Sequence, residues 1–550
     1  MSRKNKNIQI YLPIAFSIVL IIGMWLGSIL MNNNQVTSTF LPMGNNSYNK
    51  LGDVLDYIAQ DYVDSIDQDE LETEAIRAML KKLDPHSMYI TKEEFHQVND
   101  PLLGSFEGIG ISFRIEKDTI TVINPIAGGP SEKVGLMAGD RIVKIDDSLV
   151  AGIGIENNDA IRLLKGNKGT KVKVTNYRRG IPELIDFTIV RDVIPTYSLD
   201  IAYMVNDDVG YIKLNKFSAT TFDEFLEAAV RLKAQGMSKL ILDLRGNSGG
   251  YLQAAISISD EFLENGKLIV YTEGNNRKKR SAMATNTGEL EDVGVAVLID
   301  EGSASASEIV AGALQDNDKG LIIGRRSFGK GLVQEQISLP DGSAIRLTVS
   351  RYHTPTGRCI QKHYEDGEDE DYNGESYHRY LNGEMQSKDS IHFDDSLKYT
   401  TPKGNIVYGG GGIMPDIFVP LITDSIHTYY NILANKGLIF QFAFDYTDAH
   451  RAQLNEYTDF DTFNNEFNMD NTMYNSLIAY ADEKGIKQGD YNVKISKDKI
   501  AVLFKAYVGR NVLDEKGFYP IYHTIDTTFN RAVYEIREFK VESSREKPQN

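Results

Sequence analysis

The sequence predicts a multidomain α/β protein, and three observations carry that prediction. The chain has 550 residues, enough for three or four domains. From about Tyr197 to Pro420, strand-like and helix-like segments alternate, the rhythm of a layered α/β core. Between Gly104 and about Val193 the pattern changes to short β-branched strands and turns, while both flanks read as helical. The expected architecture is therefore an α/β core with an inserted β-rich domain, an N-terminal helical segment and a C-terminal mainly helical domain.

The elements follow in chain order. Arg3, Lys4 and Lys6 precede an apolar run from Ile10 to Met31. As a helix that run would reach roughly 33 Å, against a hydrocarbon core of about 30 Å. It is longer than a secretory h-region, and "SILMNNNQ" is a poor cleavage site, so residues 1–31 read as an uncleaved anchor. The basic flank then stays in the cytoplasm and the rest lies outside. Residues 32–45 form a polar tether. Residues 46–103 are a helical segment, with Leu51, Val54, Leu55 and Ile58 on one face. It runs through "LDPHSMYI", where Asp84-Pro85 ends a helix. Residues 104–193 form the β-rich domain, with "GIGISFRI", "TITVINPI", "DRIVKIDDSLV" and "KVKVTNYRRG" as strands.

Residues 194–420 hold the core. "VGYIKLNKF", "KLILDLRG", "GVAVLIDEG" and "GLIIGRRSFG" read as strands, and "TTFDEFLEAAVRLKAQG" and "ASEIVAGALQDND" as helices. An acidic insert occupies 363–400. Its first part, "HYEDGEDEDYNGESYHRYLNGE" (363–384), has the composition of a mobile surface loop. Residues 421–550 read as an accessory helical domain with no catalytic motif.

Composition excludes several functions. The net charge of −18 argues against nucleic acid, whose phosphates require a basic surface. The single cysteine, Cys359, permits neither an intramolecular disulfide nor a cysteine-based zinc site. The nine histidines form no HExxH pattern, so no metal is expected. His86 in "LDPHS" reads as a turn stabiliser.

Two segments carry chemistry. In "VLIDEGSASASEIVAGALQD" a buried strand runs through small residues into a helix. A serine there would be exposed at a strand end beside the N–H groups of a helix start, which can build an oxyanion hole. The competing reading is a serine-rich helix cap. In "LIIGRRSFGKGLVQEQ" a glycine-flanked lysine, Lys330, precedes Gln334. Gly324 to Lys330 fits the first positions of a P-loop, but Gly331 stands where a magnesium-binding Ser or Thr is needed, and a strand rather than a helix follows. An NTPase is thereby disfavoured.

Six separated motifs in one order resemble the carboxyl-terminal processing peptidases, or tail-specific proteases. They are "LDPHSMYI" (83–90), "FEGIGISF" (106–113), "LDLRGNSGG" (242–250), "GSASASEIVAGALQD" (302–316), "SFGKGLVQ" (327–334) and "GGGGIMPDI" (409–417). The resemblance covers about residues 50 to 420. It implies a peptidase core related to the ClpP/crotonase superfamily, with a PDZ-like domain at 104–193 and no cofactor. It implies Ser305 as nucleophile rather than Ser303 or Ser307, Lys330 as general base and Gln334 as its orienting partner. The oxyanion donors would be the N–H groups of Ala306 and Gly249. In the PDZ-like domain, N–H groups of Gly108, Ile109, Gly110 and Ile111 would receive a substrate's terminal carboxylate, with apolar tail residues lying along Ile109, Ile111 and Phe113.

The expectation is a serine endopeptidase that forms an acyl-enzyme and cuts near the free, apolar C-termini of extracytoplasmic proteins. It would be anchored by one helix in the inner (cytoplasmic) membrane, with its catalytic part in the periplasm. A homo-oligomer or an adaptor is compatible with the sequence. The competing function is a non-catalytic, membrane-tethered PDZ scaffold that binds protein tails. The base assignment has a physical requirement: a lysine at its ordinary pKa of about 10.4 is protonated at pH 7 and accepts no proton, so Lys330 has to be desolvated.

Overall fold

The computed structural model describes residues 17–19, 21–23, 49–364, 369–421, 428–487 and 493–539. It divides into two units, residues 1–72 and 73–550. The first contains the helix Lys50–Asp61, which Asn49 caps by accepting from the Gly52 N–H. The anchor expected over 1–31 lies outside the described residues apart from 17–19 and 21–23. Among the described residues no helix is long and apolar enough to cross a membrane.

The second unit is built on a six-stranded sheet. Its order is Leu199–Met204, Val209–Leu214, Lys239–Asp243, Gly294–Ile299, Gly320–Gly324 and Ile417–Phe418. The first pair is antiparallel and the rest are parallel. Every residue of Val209–Leu214 and Gly294–Ile299 is buried, as expected for parallel strands covered on both faces. Alternate side chains divide between two layers. Ile212, Leu242, Val297 and Ile322 pack with the helices Thr221–Ala234, Leu252–Asp260 and Ala306–Asp316. Tyr211, Ile241, Leu298 and Ile323 face the last helix, Thr527–Glu538, through Phe529, Ala532 and Ile536. The C-terminal region thus supplies the second cover of the catalytic sheet. The described helices from Thr428 to Tyr522 form a bundle around Tyr429, Phe463, Leu477 and Phe504.

A second sheet carries the lysine side of the site. Its strand Ala344–His353 pairs with Met88–Ile90, Leu268–Gly274 and Leu332–Ser338. The β-rich domain has strands Ile111–Ile115, Ile120–Pro125, Arg141–Ile145, Lys171–Tyr177 and Ile185–Val190 in one antiparallel sheet, with helices Pro130–Lys133 and Asn157–Leu164. The ribbon Ser105–Gly108 with Asp192–Pro195 joins it to the core.

The insert departs from the expectation of a mobile surface loop. Residues Asp369–Leu381 form a helix, with Tyr372 and Arg379 buried. Acidic composition hid this because the inward contacts rest on Tyr372 and Arg379, while Tyr377, Tyr380 and Leu381 are exposed. Glu375 pairs there with Lys362, Arg326 and Arg379.

Candidate active site

Two turns at the carboxyl ends of neighbouring parallel strands build the site, the usual place for chemistry in an open α/β sheet. Gly294–Ile299 leads into the first turn and the helix Ala306–Asp316. Ser305 is the N-cap, at φ +53° and ψ −110°. That conformation costs a non-glycine residue on the order of 1–3 kcal/mol and marks a position that its surroundings over-determine. The three serines of "SASAS" separate by environment. Ser303 is buried and donates to Leu244 O at 2.8 Å; Ser307 is buried and donates to Asn247 O at 2.8 Å. Ser305 alone is half-buried.

Asn247 joins the "RGNSGG" turn to this one. Its carbonyl also accepts from the Ala304 N–H at 3.0 Å, and its side chain donates to Leu214 O. Gly249, at φ +98°, lies against Ser305: a Cβ there would come within 2.7 Å of Ser305 Cβ and 2.9 Å of Ala306 N. Its N–H, however, donates to Asn247 Oδ1 at 2.9 Å. Of the two expected oxyanion donors, only the Ala306 N–H has no acceptor among the described residues.

The second turn follows Gly320–Gly324 and carries Lys330. Its Nζ donates to Gln334 Oε1 at 3.1 Å, and Gln334 Nε2 donates to the His86 carbonyl at 2.5 Å. The structure therefore brings Lys330 and Gln334 together. It also gives the "LDPHS" segment a place: Asp84 accepts from the N–H groups of His86 and Ser87 and from the Ser87 and Thr348 hydroxyls, fixing the turn whose carbonyl holds Gln334. Burial is the largest cause lowering the Lys330 pKa, followed by Arg346, with Asp84 and Glu308 opposing.

Two buried side chains tie the turns together. Glu308 is fully buried and accepts from the N–H groups of Ser305 (2.8 Å), Gly329 (2.7 Å) and Lys330 (2.9 Å), and from Ser327 Oγ (2.6 Å). Burial pushes its carboxyl up to about 7, while those donors pull it down. The Tyr352 hydroxyl lies 3.2 Å from Ser305 O and 2.8 Å from Lys330 O. At the far end of the serine's helix, the fully buried Arg358 pairs with Asp316 at 2.7 Å. The sequence reading missed all of these. The S-x-x-E spacing of Ser305 and Glu308 is a capping box and was the one available signal.

The expected carboxylate nest is a left-handed turn at Gly110, φ +74°, where a Cβ would also meet Ile194 Cδ1 at 2.9 Å. Gly108 ends its strand opposite Asp192. The carbonyls of Ile109 and Gly110 accept from the Ser131 and Ile126 N–H groups. In trans peptides the next N–H groups, those of Gly110 and Ile111, then point the opposite way. Ile111–Ile115 is an edge strand of its sheet, the position at which β-addition occurs, and its Arg114 packs over Phe444 of the C-terminal bundle. Ile109 is buried in the domain core, which leaves Ile111 and Phe113 as the candidates for an apolar groove. Among the described residues no cluster of His, Cys, Asp or Glu could hold a metal.

Residues 208–373 match peptidase family S41, 108–189 the PDZ domain, 26–94 the activating protease CtpB N-terminal domain, and 429–514 a family of unknown function. The carboxy-terminal-processing protease of Bartonella bacilliformis is 39% identical over 340 residues, covering 61% of this chain and 75% of that protein. The carboxy-terminal processing protease CtpA of Bacillus subtilis is 37% identical, covering 58% and 68%. Among solved structures, the photosystem II D1 C-terminal processing protease is 27% identical with a TM-score of 0.37, covering 69% of this chain and 89% of that one. The chain belongs to the carboxy-terminal processing proteases of peptidase family S41, with a PDZ domain and helical N- and C-terminal segments. It is a serine-type peptidase.

Proposed function

We propose that the enzyme cuts near the free, apolar C-termini of extracytoplasmic proteins through a Ser305–Lys330 pair. The observation that carries this reading is the setting of Lys330. Its amine is largely desolvated and held by Gln334, and its loop shares the Glu308 and Tyr352 contacts with the Ser305 turn. Desolvation favours the neutral amine, which takes the Ser305 proton as Oγ attacks the scissile carbonyl. The Ala306 N–H receives the developing oxyanion, with Gly249 as second donor once its bond to Asn247 is exchanged for the substrate oxygen. The ammonium of Lys330 then protonates the leaving amine. The acyl group on Ser305 is released by a water that gives its proton to the same lysine.

The PDZ domain supplies tail recognition through the Gly110 turn and the Ile111–Ile115 edge. A tether over residues 10–31, with the peptidase in the periplasm, belongs to the same proposal and rests on the sequence pattern alone. The full-length protein should cleave a peptide with a free apolar C-terminus, cleave its C-terminally amidated form poorly, and lose cleavage on Ser305→Ala. Equal cleavage of both peptides refutes tail recognition. Undiminished cleavage by Ser305→Ala refutes the nucleophile. A wild type that binds tails and cleaves nothing leaves the scaffold reading.

A further inference from the structure

The inserted helix Asp369–Leu381 has no part in the motifs that define the site, and the match to the peptidase family ends at residue 373, inside it. Its buried face nevertheless lies against the lysine loop. Arg379 donates to Ser327 O at 2.7 Å and to Phe328 O at 3.3 Å. The Tyr372 ring meets Phe328 and His86 edge-on, with centroids 5.8 and 5.2 Å apart.

The hydrogen bonds form a closed circuit. Lys330 Nζ donates to Gln334, and Gln334 donates to the His86 carbonyl. The His86 ring Nε2 lies 2.9 Å from the Tyr372 hydroxyl. Gln361 Nε2 donates to that hydroxyl at 3.2 Å, and Gln361 Oε1 accepts from the N–H of Gly331, the residue after Lys330, at 2.8 Å. The proton directions are consistent throughout. Tyr372 accepts from Gln361, and its bond with His86 Nε2 is satisfied in either direction, set by the imidazole tautomer. Burial, then Lys330, lowers the His86 pKa to about 4, with Asp84 opposing and Lys362 assisting. Burial also holds the Tyr372 phenol far above its ordinary range, so it keeps its proton.

We propose that Tyr372 is a positioning residue for Lys330, closing from the inserted helix the hydrogen-bond circuit that fixes the lysine's amine and its loop. Tyr372 acts only through Gln361 and His86, and this assignment rests on Lys330 being the general base. A base displaced by a fraction of an ångström loses rate without losing substrate affinity. The hydroxyl should therefore matter to kcat and not to KM.

The test is steady-state cleavage of a free-tail peptide by the full chain. Tyr372→Phe keeps the ring packing and removes one hydroxyl. It should lower kcat roughly ten-fold, with KM within about two-fold of wild type. Gln361→Met cuts the same circuit from outside the insert and should do likewise. Because a circuit is cut only once, the double variant should fall little below either single variant. Multiplicative losses, losses confined to KM, or wild-type kcat in either folded variant overturn the proposal. Lys330→Ala separates the two levels. If it keeps turnover, the base assignment fails; if it is inactive while Tyr372→Phe is unaffected, only the positioning role fails.

Discussion

The turn that carries Ser305 and the loop that carries Lys330 are held in different ways. Around Ser305 part of the support is close in the chain, with Glu308 taking its N–H and Ser303 bonding back to Asp300, and the rest comes from Leu244 and Asn247 at the end of the adjacent parallel strand and from Tyr352. Around Lys330 the supports come from far away: Gln361, Arg379 and, through Gln334, His86. A serine turn needs a fixed backbone geometry, which a strand–helix junction and the neighbouring strand end supply. A neutral lysine needs dryness on all sides, and one short loop cannot provide that. Glu308 and Tyr352 are the points at which the two constructions meet.

Perturbations of each side should therefore differ in kind. Arg358→Ala leaves Asp316 as an uncompensated buried charge beneath the serine's helix. It should cost about 3–5 kcal/mol of stability in denaturant unfolding, whatever its effect on turnover. Glu308→Gln places an amide N–H against donors from both turns, leaving buried groups unpaired at a cost of about 1–3 kcal/mol. Its kcat should fall roughly a hundred-fold in steady-state assays, because both turns shift together.

Arg379→Met breaks only the lysine side. It should lower kcat roughly ten-fold, while the melting temperature drops by a few degrees at most. The smallest effect is a pH dependence. His86 has a folded pKa near 4 against an ordinary 6.5. Its contribution to stability is complete above pH 6.5 and is lost as pH falls toward 4, since only the unfolded chain takes up the proton across that window. His86→Gln should flatten the wild-type decline in melting temperature between those values.

The same contrast explains what could be read in the sequence. The strand–helix alternation was legible because it follows local periodicity and helix-start chemistry, whereas the choice of Ser305 within "SASAS" came from the resemblance, since the bonds that separate the three serines reach Leu244 and Asn247. Gln334, four residues from Lys330 along the chain, was named through the resemblance and not through its spacing. Tyr372 was not legible, because its hydroxyl meets His86 across 286 residues, inside a segment whose acidic composition resembles a solvated loop. Gly249 shows the converse. Its place beside Ser305 followed from the resemblance, yet the direction of its N–H depends on Asn247, which no spacing reveals.

The central claim is that a neutral amine at position 330 serves Ser305, and one measurement addresses it directly. Peptide cleavage by Lys330→Arg should be compared with wild type at several pH values, using protein whose thermal unfolding matches wild type. Guanidinium stays charged at every accessible pH and cannot accept the serine's proton. The account predicts no detectable turnover at any pH. Cleavage within ten-fold of wild type would contradict it.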